Sequence, residues 1–190
     1  KGTTGTNDDS SSATIAASYD FGNGFTVAGG LSGAGGDSDG LFTAETNDVY
    51  GIQAAYNTDL YGVSVSYALT DTGVAAETTY WGLNGFYTFE GEGLPSISVG
   101  YESQDPSAGA SAEGYFAGLT WDEVGPGSFS VGLSTTANFT DAQEELYVYE
   151  ASYTYPINDG MTITPGVFIS ESAGAADDLT GFIVKTSFSF

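Results

Sequence analysis

The sequence lacks cysteine, histidine and arginine, and each absence excludes a class of chemistry. Without cysteine there is no disulfide bond, thiolate nucleophile or thiolate metal ligand. Without histidine, Ser-His and Cys-His nucleophilic systems and histidine-containing zinc sites are excluded. Carboxylates are plentiful, but no segment gathers them into an apolar pocket where they could act as an acid–base pair. The sequence therefore predicts a protein that is not an enzyme and needs no cofactor.

Positive charge is almost absent as well. Two lysines stand against 25 aspartates and glutamates, which gives a formal net charge of -23. Because phosphate binding depends on lysine and arginine, nucleic acid is excluded as a partner, and a cation-rich environment is favoured. No apolar run is long enough for a transmembrane helix, and no signal peptide is present. The polar stretch after Lys1 predicts a loop at a mature or cleaved end.

What the sequence does contain is period-two alternation of large and small residues along most of its length, which is typical of β-strands. Helical periodicity does not appear over a useful length. The alternation predicts eleven strands, at 13–21, 25–31, 48–57, 60–69, 78–89, 96–104, 113–122, 128–135, 145–155, 161–170 and 179–190.

The two faces of these strands differ in side-chain size. In 60–69, Tyr61, Val63 and Val65 alternate with Ser64 and Ser66. A soluble sandwich would bury the large face and expose long charged side chains. A transmembrane barrel turns the large face to lipid and lines its lumen with the polar face. We therefore predict an all-β, antiparallel transmembrane β-barrel, a single unit over 1–190 with an outer loop at 1–12 and strands over 13–190.

Connections and aromatic residues support this interpretation. Short turns at 22–24, 57–59, 90–95, 124–127 and 156–160 alternate with longer loops at 32–47, 70–77, 105–112, 136–144 and 171–178. Outer-membrane barrels show this alternation between their rims. Aromatic residues of the large face cluster beside the short turns, and we predict that they form a girdle at the membrane interface: Tyr19, Phe21, Tyr56, Tyr61, Tyr87, Phe89, Trp121, Tyr153, Tyr155 and Phe188.

The small-residue side of the strands carries a few longer polar groups. In a water-filled lumen such groups tune ion selectivity. We predict that they line a cation-preferring pore, because acidic loops concentrate cations at its mouth. The alternative is that these charges are merely solvated. The predicted pore-lining residues are Asp20, Gln53, Asn84, Glu102, Glu150 and Lys185.

The last strand and the strand count carry two further predictions. Phe182, Val184, Phe188 and Phe190 share one face of the final strand, and we predict that they act as the barrel-assembly signal. An odd number of strands places the two ends of the chain on opposite rims, whereas bacterial single-chain barrels have even numbers. Either the chain contains one more strand than the alternation shows, or it is part of a larger barrel. We favour the second and expect the chain to pair with an additional N-terminal barrel segment, giving about sixteen strands around a wide channel. Pro165 predicts a bulge or a break in pairing.

The last forty residues contain an N-D-G turn, a T-P-G-V-F strand and an acidic loop before a final strand that ends in phenylalanine. This stretch resembles the C-terminal end of cyanobacterial outer-membrane porins, the OprB-like family with an N-terminal surface-layer-homology domain. The resemblance is specific here and general over 1–150. It implies a homotrimeric diffusion channel in the outer membrane that passes ions and small solutes, including carbohydrates. It also implies an N-terminal domain and early strands that are not in this chain.

Two other interpretations stay open. The first is a secreted acidic β-protein, such as an adhesin, surface-layer or fibre subunit, whose large aromatic face would point inward. The second concerns Asp37 and Asp39 in the loop 35–45, which are candidates for calcium binding. This loop does not fit an EF-hand, because Gly40 comes too early and a third acidic ligand is missing. We predict no metal site.

Overall fold

A computed structural model describes residues 11–35, 47–71, 77–135, 144–174 and 176–189 of the chain. These residues form one 11-stranded sheet, so the predicted all-β fold of eleven strands is confirmed. The described part of the chain contains no helix that is long and apolar enough to cross a bilayer. The strands are β1 Ser11–Asp20, β2 Phe25–Gly35, β3 Asn47–Asn57, β4 Tyr61–Asp71, β5 Thr78–Thr88, β6 Ser96–Pro106, β7 Ala112–Val124, β8 Gly127–Thr135, β9 Tyr147–Asn158, β10 Met161–Ser170 and β11 Leu179–Phe188.

The strands follow one another in the sheet in the order of the sequence, and each neighbouring pair is antiparallel. Short connections at 21–24, 58–60, 89–95, 125–126 and 159–160 therefore lie at one end of the sheet, the turn rim. The other connections lie at the opposite end, the loop rim. Among the described residues, β1 pairs with β2 alone and β11 with β10 alone, so the described sheet has two outer edges.

Local chemistry fixes the tight turns. Between β1 and β2 the carboxylate of Asp20 accepts the N–H of Gly22 at 2.8 Å, and the side chain of Asn23 accepts the N–H of Phe25 at 3.1 Å. Gly24 has a φ of 87°, in the left-handed region that favours glycine. The register of two paired strands follows from the turn that joins them. These local hydrogen bonds therefore help to determine which residues share a face.

Cross-strand partners lie on the same face of a sheet, and the register therefore assigns two faces. Val65 of β4 is paired with Ala54 and Leu83, whereas Ser64 is paired with Ala55 and Asn84. We call the face of Val65 the large-residue face and the face of Ser64 the small-residue face. Following the pairs from β1 to β11 extends each face across the whole sheet.

The described residues contain no buried hydrophobic side chain. Large apolar groups are instead exposed, and Phe182, at 80%, is the extreme case. The secreted alternative requires the aromatic face to be covered. Within the described residues, the large apolar side chains of the sheet are not covered by a second layer.

Strand ends differ from the prediction at the loop rim. β6 continues to Pro106, so the connection to β7 covers 107–111 and is shorter than the turn at 89–95. The expectation of a long loop at 105–112 was therefore wrong. Polar residues near the strand end favour a loop, whereas backbone pairing continues through Gln104 with Ala112 and through Pro106 with Thr78. The predicted outer loop 1–12 lies mostly outside the described residues, and β1 begins at Ser11.

Pro165 disturbs the sheet on one side. The ladder between β9 and β10 omits the pairs opposite Thr164 and Pro165, whereas Pro165 is paired with Val184 of β11. A proline has no N–H to donate, which explains a local break of this kind. The predicted break in pairing is therefore confirmed, while the bulge of this ladder lies at Met161/Thr162. A second irregularity lies between Trp121 and Val124 in β7.

Candidate functional site

The predicted pore-lining residues all lie on the small-residue face, and all are exposed. Glu102 is paired with Gly82 and Gly114, and Glu150 with Gly132 and Phe168. Lys185 is paired with Thr164 on the same face. The set does not converge on one point, because it is spread over β1, β3, β5, β6, β9 and β11. Such a distribution can line a surface, but it cannot hold a single substrate between all its members. The set comprises Asp20, Gln53, Asn84, Glu102, Glu150 and Lys185.

The small-residue face also carries aromatic side chains that the sequence analysis missed: Tyr80, Phe86, Phe116 and Phe168. The expectation of a face made of small residues and a few polar groups was therefore incomplete. The three phenylalanines lie directly opposite glycines, in the pairs Phe86–Gly62, Phe116–Gly100 and Phe168–Gly181.

Each of these rings occupies the space above its glycine. A Cβ atom placed on Gly181 would lie 2.6 Å from Cζ of Phe168, and one placed on Gly100 would overlap the ring of Phe116. The glycine thus makes room for a ring that packs against the backbone, a known way of stabilising glycine in strands. Part of the ring stays accessible, since Phe116 is 42% exposed.

The small-residue face is concave in places. A cavity of about 390 Å³ is lined by residues that include Glu102, Asn84, Tyr80 and Phe116. A second, of about 510 Å³, is lined by residues that include Glu150 and Phe168. Both volumes fall in the range of small-molecule sites. The lining of both contains carboxylate and aromatic groups but no lysine.

Aromatic residues of the large-residue face lie at the turn rim, as predicted by their position in the strands. Tyr19 and Phe21 are 4.8 Å apart between ring centroids, and Tyr87 and Phe89 are 4.9 Å apart. Contacts of this kind recur along the rim between Tyr56 and Tyr61 and between Trp121 and Phe129. Tyr153 and Tyr155 share the face, and the hydroxyl of Tyr153 donates to the carbonyl of Val124 at 2.7 Å. Whether these residues meet a membrane interface stays a prediction.

At the loop rim, the hydroxyl groups of several tyrosines donate hydrogen bonds to carboxylates. Tyr101 donates to Glu113 at 3.1 Å, and Tyr149 donates to Glu171 at 3.2 Å. Tyr115 and Tyr147 both donate to Glu145 and lie 2.6 Å apart between their hydroxyl oxygens. A tyrosine with an apolar ring and a solvated hydroxyl suits a boundary between an apolar medium and water. This second band of aromatic residues lies at the opposite end of the strands from the first.

The structure describes only part of the predicted assembly signal and does not describe the two candidate calcium ligands. The large-residue face includes three members of the predicted assembly signal. Phe182 is paired with Val167, Val184 with Pro165, and Phe188 with Met161. Phe190, the last member of the predicted assembly signal, lies outside the described residues, as do Asp37 and Asp39. Within the ranges that the structure describes, no three acidic residues are grouped so that they could hold a metal ion.

The sheet has an uncovered apolar face, an opposite face of mostly small and polar residues, and aromatic residues at both rims. These features together define the wall of a membrane-spanning β-barrel. Comparison with protein families agrees with this class. The model of the family described as Gram-negative porin matches residues 1–167, and the chain belongs to that family. It is therefore an outer-membrane protein that forms a channel for small solutes.

The structure of a protein named KdgM porin is similar over 96% of this chain and 94% of that chain, with 12% sequence identity and a TM-score of 0.48. A search of curated protein sequences found no match.

Proposed function

We propose that the chain forms a water-filled, cation-preferring channel through which ions and small hydrophilic solutes, carbohydrates among them, diffuse passively. The observation that carries this proposal is the division of the sheet into a large apolar face and an opposite face made mostly of small and polar residues. Such a wall turns its polar face to water when its apolar face meets lipid. Transport of this kind needs no chemical step, so we assign no residue a catalytic role.

Cation preference is supported by the charges of the small-residue face. Glu102 lies in the middle of β6, Glu150 lies in the loop-rim half of β9, and Asp20 lies at the end of β1. Lys185 is the cation of that face within the described residues. Carboxylates therefore outnumber ammonium groups along the wall, and the net charge of -23 adds a negative potential at both mouths.

Reversal potentials in a KCl gradient test the selectivity. We expect the purified protein in a planar bilayer to pass potassium more readily than chloride. Replacing the wall carboxylates, in the variant Glu102→Gln/Glu150→Gln, should lower the ratio of potassium to chloride permeability. Lys185→Gln should raise that ratio, by roughly two-fold for a charge about 8 Å from the ion path. A chloride-preferring wild-type channel would overturn the cation preference.

We also propose that the outer edges of β1 and β11 are paired in the membrane, because lipid offers no hydrogen-bond partner to an open edge. An additional barrel segment, giving about sixteen strands, would satisfy both edges and enclose an aqueous channel. Single-channel conductance bears on this proposal, because a barrel closed by eleven strands alone would have a narrower lumen and pass less current.

The narrower affiliation with cyanobacterial OprB-like porins, and a trimeric assembly, are proposals that rest on the resemblance of the last forty residues. The family model ends at residue 167, so most of that stretch lies beyond the matched region. Native mass spectrometry of the protein in detergent would test the assembly. A trimer is expected, and a monomer at all protein-to-detergent ratios would overturn it.

A further inference from the structure

Two carboxylates of the small-residue face, Glu102 and Glu150, each share a cavity with a phenylalanine that lies over a glycine. Glu150 is paired directly with Phe168, whose ring covers Gly181. Glu102 is paired with Gly114, two residues before Phe116 on β7, and the ring of Phe116 covers Gly100. The combination of a carboxylate and a ring that covers a glycine thus occurs twice, in separate parts of the sheet; Phe116 is exposed and Phe168 is half-buried.

We propose that these two places are subsites for small organic cations, meaning ammonium ions that carry apolar carbon groups. The inference rests on the proposed function, because it requires the small-residue face to line an open channel. It goes further by naming the solute class that the wall retains during passage.

The geometry matches this class of ligand. Residues directly opposite one another have Cβ atoms about 4.5–5.5 Å apart, and diagonal neighbours are about 7–8 Å apart. At the first place the ring of Phe116 lies over Gly100, two residues from Glu102 on β6, so an ammonium group can approach that carboxylate while staying within the ~6 Å of a ring centroid at which cation–π attraction acts. At the second place the ring of Phe168 lies over β11, on the side away from Glu150, so the ammonium group has to lie between the ring and the carboxylate. In the first cavity a Cβ on Gly100 would also lie 2.8 Å from Oδ1 of Asn84, so an amide oxygen borders the same space.

Other ligand classes fit these places less well. Anions would meet a carboxylate in both linings, neither of which contains lysine, although Lys185 lies on the same face two residues from Ile183 of the second cavity. A bare metal ion would find too few ligands, because the described residues contain no group of three acidic side chains suited to one. A neutral apolar solute would gain the ring contact but would leave the carboxylate without an opposite charge. An organic cation uses both groups at once.

Block of the potassium current by choline tests the proposal on the intact protein in a planar bilayer. We expect choline to reduce the current with a measurable half-blocking concentration. Its neutral isostere, 3,3-dimethylbutan-1-ol, has the same shape and should not block at the same concentrations. Equal block by the two compounds would overturn the proposal, because the ring contact alone would then explain retention.

Matched variants separate the carboxylate from the ring. Glu102→Gln/Glu150→Gln should raise the half-blocking concentration of choline, and Phe116→Leu/Phe168→Leu should raise it about two- to five-fold, the range expected for an exposed cation–π contact. Leucine still covers the glycine, so the strand keeps its packing. A potassium current in these variants, even at a changed level, would show that the channel still forms.

Two control variants lie on the same face but outside these places. Asp20→Asn removes a small-face carboxylate at the end of β1, and Phe86→Leu alters a ring that covers Gly62 and is paired with Ser98. Neither should change the half-blocking concentration of choline. If Asp20→Asn raised it as much as Glu102→Gln/Glu150→Gln, general charge would explain the effect and the subsites would be refuted.

The outcomes also distinguish this inference from the proposed function. A protein that conducts no ions would refute the channel itself. A channel that prefers potassium to chloride but is not blocked by choline would refute the subsites and leave the channel standing.

Discussion

At the scale of single residues, glycine determines where aromatic rings fit on the polar face. The glycines opposite Phe86, Phe116 and Phe168 leave space that any larger residue would fill. A Cβ on Gly100 would meet the ring of Phe116, so even alanine forces a shift. Alternation in the sequence cannot show this relation, because it depends on which residues of neighbouring strands are opposite each other.

Gly100→Ala should destabilise the protein by about 1–3 kcal/mol, the usual cost of overpacking a well-fitted contact. The matched control is Gly118→Ala on the same face, where a Cβ would lie at an ordinary 3.5 Å from the carbonyl oxygen of Val131. Unfolding by denaturant in lipid vesicles measures both. Equal stability of the two variants would contradict the proposed packing of Phe116 on Gly100.

At the scale of strands, sequence alternation predicted most of the architecture. It predicted the strand number, most strand boundaries to within a few residues, and the face of every predicted pore-lining residue, because a period of two survives in nearly every strand. It missed Phe168 and its counterparts, because short polar residues dominate the same face. It also placed a long loop at 105–112, where backbone pairing continues, since pairing depends on the neighbouring strand and not on the polarity of Gln104 or Asp105.

The distance between the two aromatic bands, measured along a strand, is close to the height of the apolar band of an outer-membrane barrel. Tyr147 and Tyr155 lie at the loop-rim and turn-rim parts of β9. Eight residue steps span about 26 Å along a strand, or about 20 Å along the barrel axis at a tilt of about 40°. The apolar band of outer-membrane barrels is about 25 Å tall. The strands are therefore long enough to carry their aromatic ends close to both interfaces.

A lysine placed on either face of one strand should have opposite consequences. Val65→Lys, at the middle of β4 on the large-residue face, should destabilise the protein in lipid by about 2–4 kcal/mol. Ser64→Lys, one residue away on the small-residue face, should leave stability nearly unchanged and lower the cation preference. Denaturant unfolding in vesicles and reversal potentials measure the two effects. Greater destabilisation by Ser64→Lys would reverse the assignment of the faces.

At the scale of the whole molecule, many carboxylates lie in the connections at the two rims, and most acidic residues of the strands lie near strand ends. Glu90, Glu92 and Asp159 lie in turns, while Glu77, Asp177 and Asp178 lie in connections at the opposite rim. Both channel mouths are thus acidic, whereas the apolar face carries few charges in its central part. A negative potential at each mouth attracts cations from solution before they reach the wall.

Selectivity should therefore depend on ionic strength. The Debye length falls from about 10 Å at 0.1 M to about 3 Å at 1 M salt, which screens the rims more than the wall. We expect the ratio of potassium to chloride permeability to fall toward one as KCl concentration rises across this range. A ratio that did not change with salt would show that the rim carboxylates contribute nothing to selectivity.

The central claim is that the small-residue face meets water and the large-residue face meets lipid. Because the sequence contains no cysteine, Ser98→Cys and Val99→Cys each introduce a single thiol, on opposite faces of β6. The measurement is the rate of labelling by a charged, membrane-impermeant methanethiosulfonate reagent in reconstituted vesicles. We expect rapid labelling with a fall in conductance for Ser98→Cys, and little labelling for Val99→Cys. Faster labelling of Val99→Cys would contradict the account.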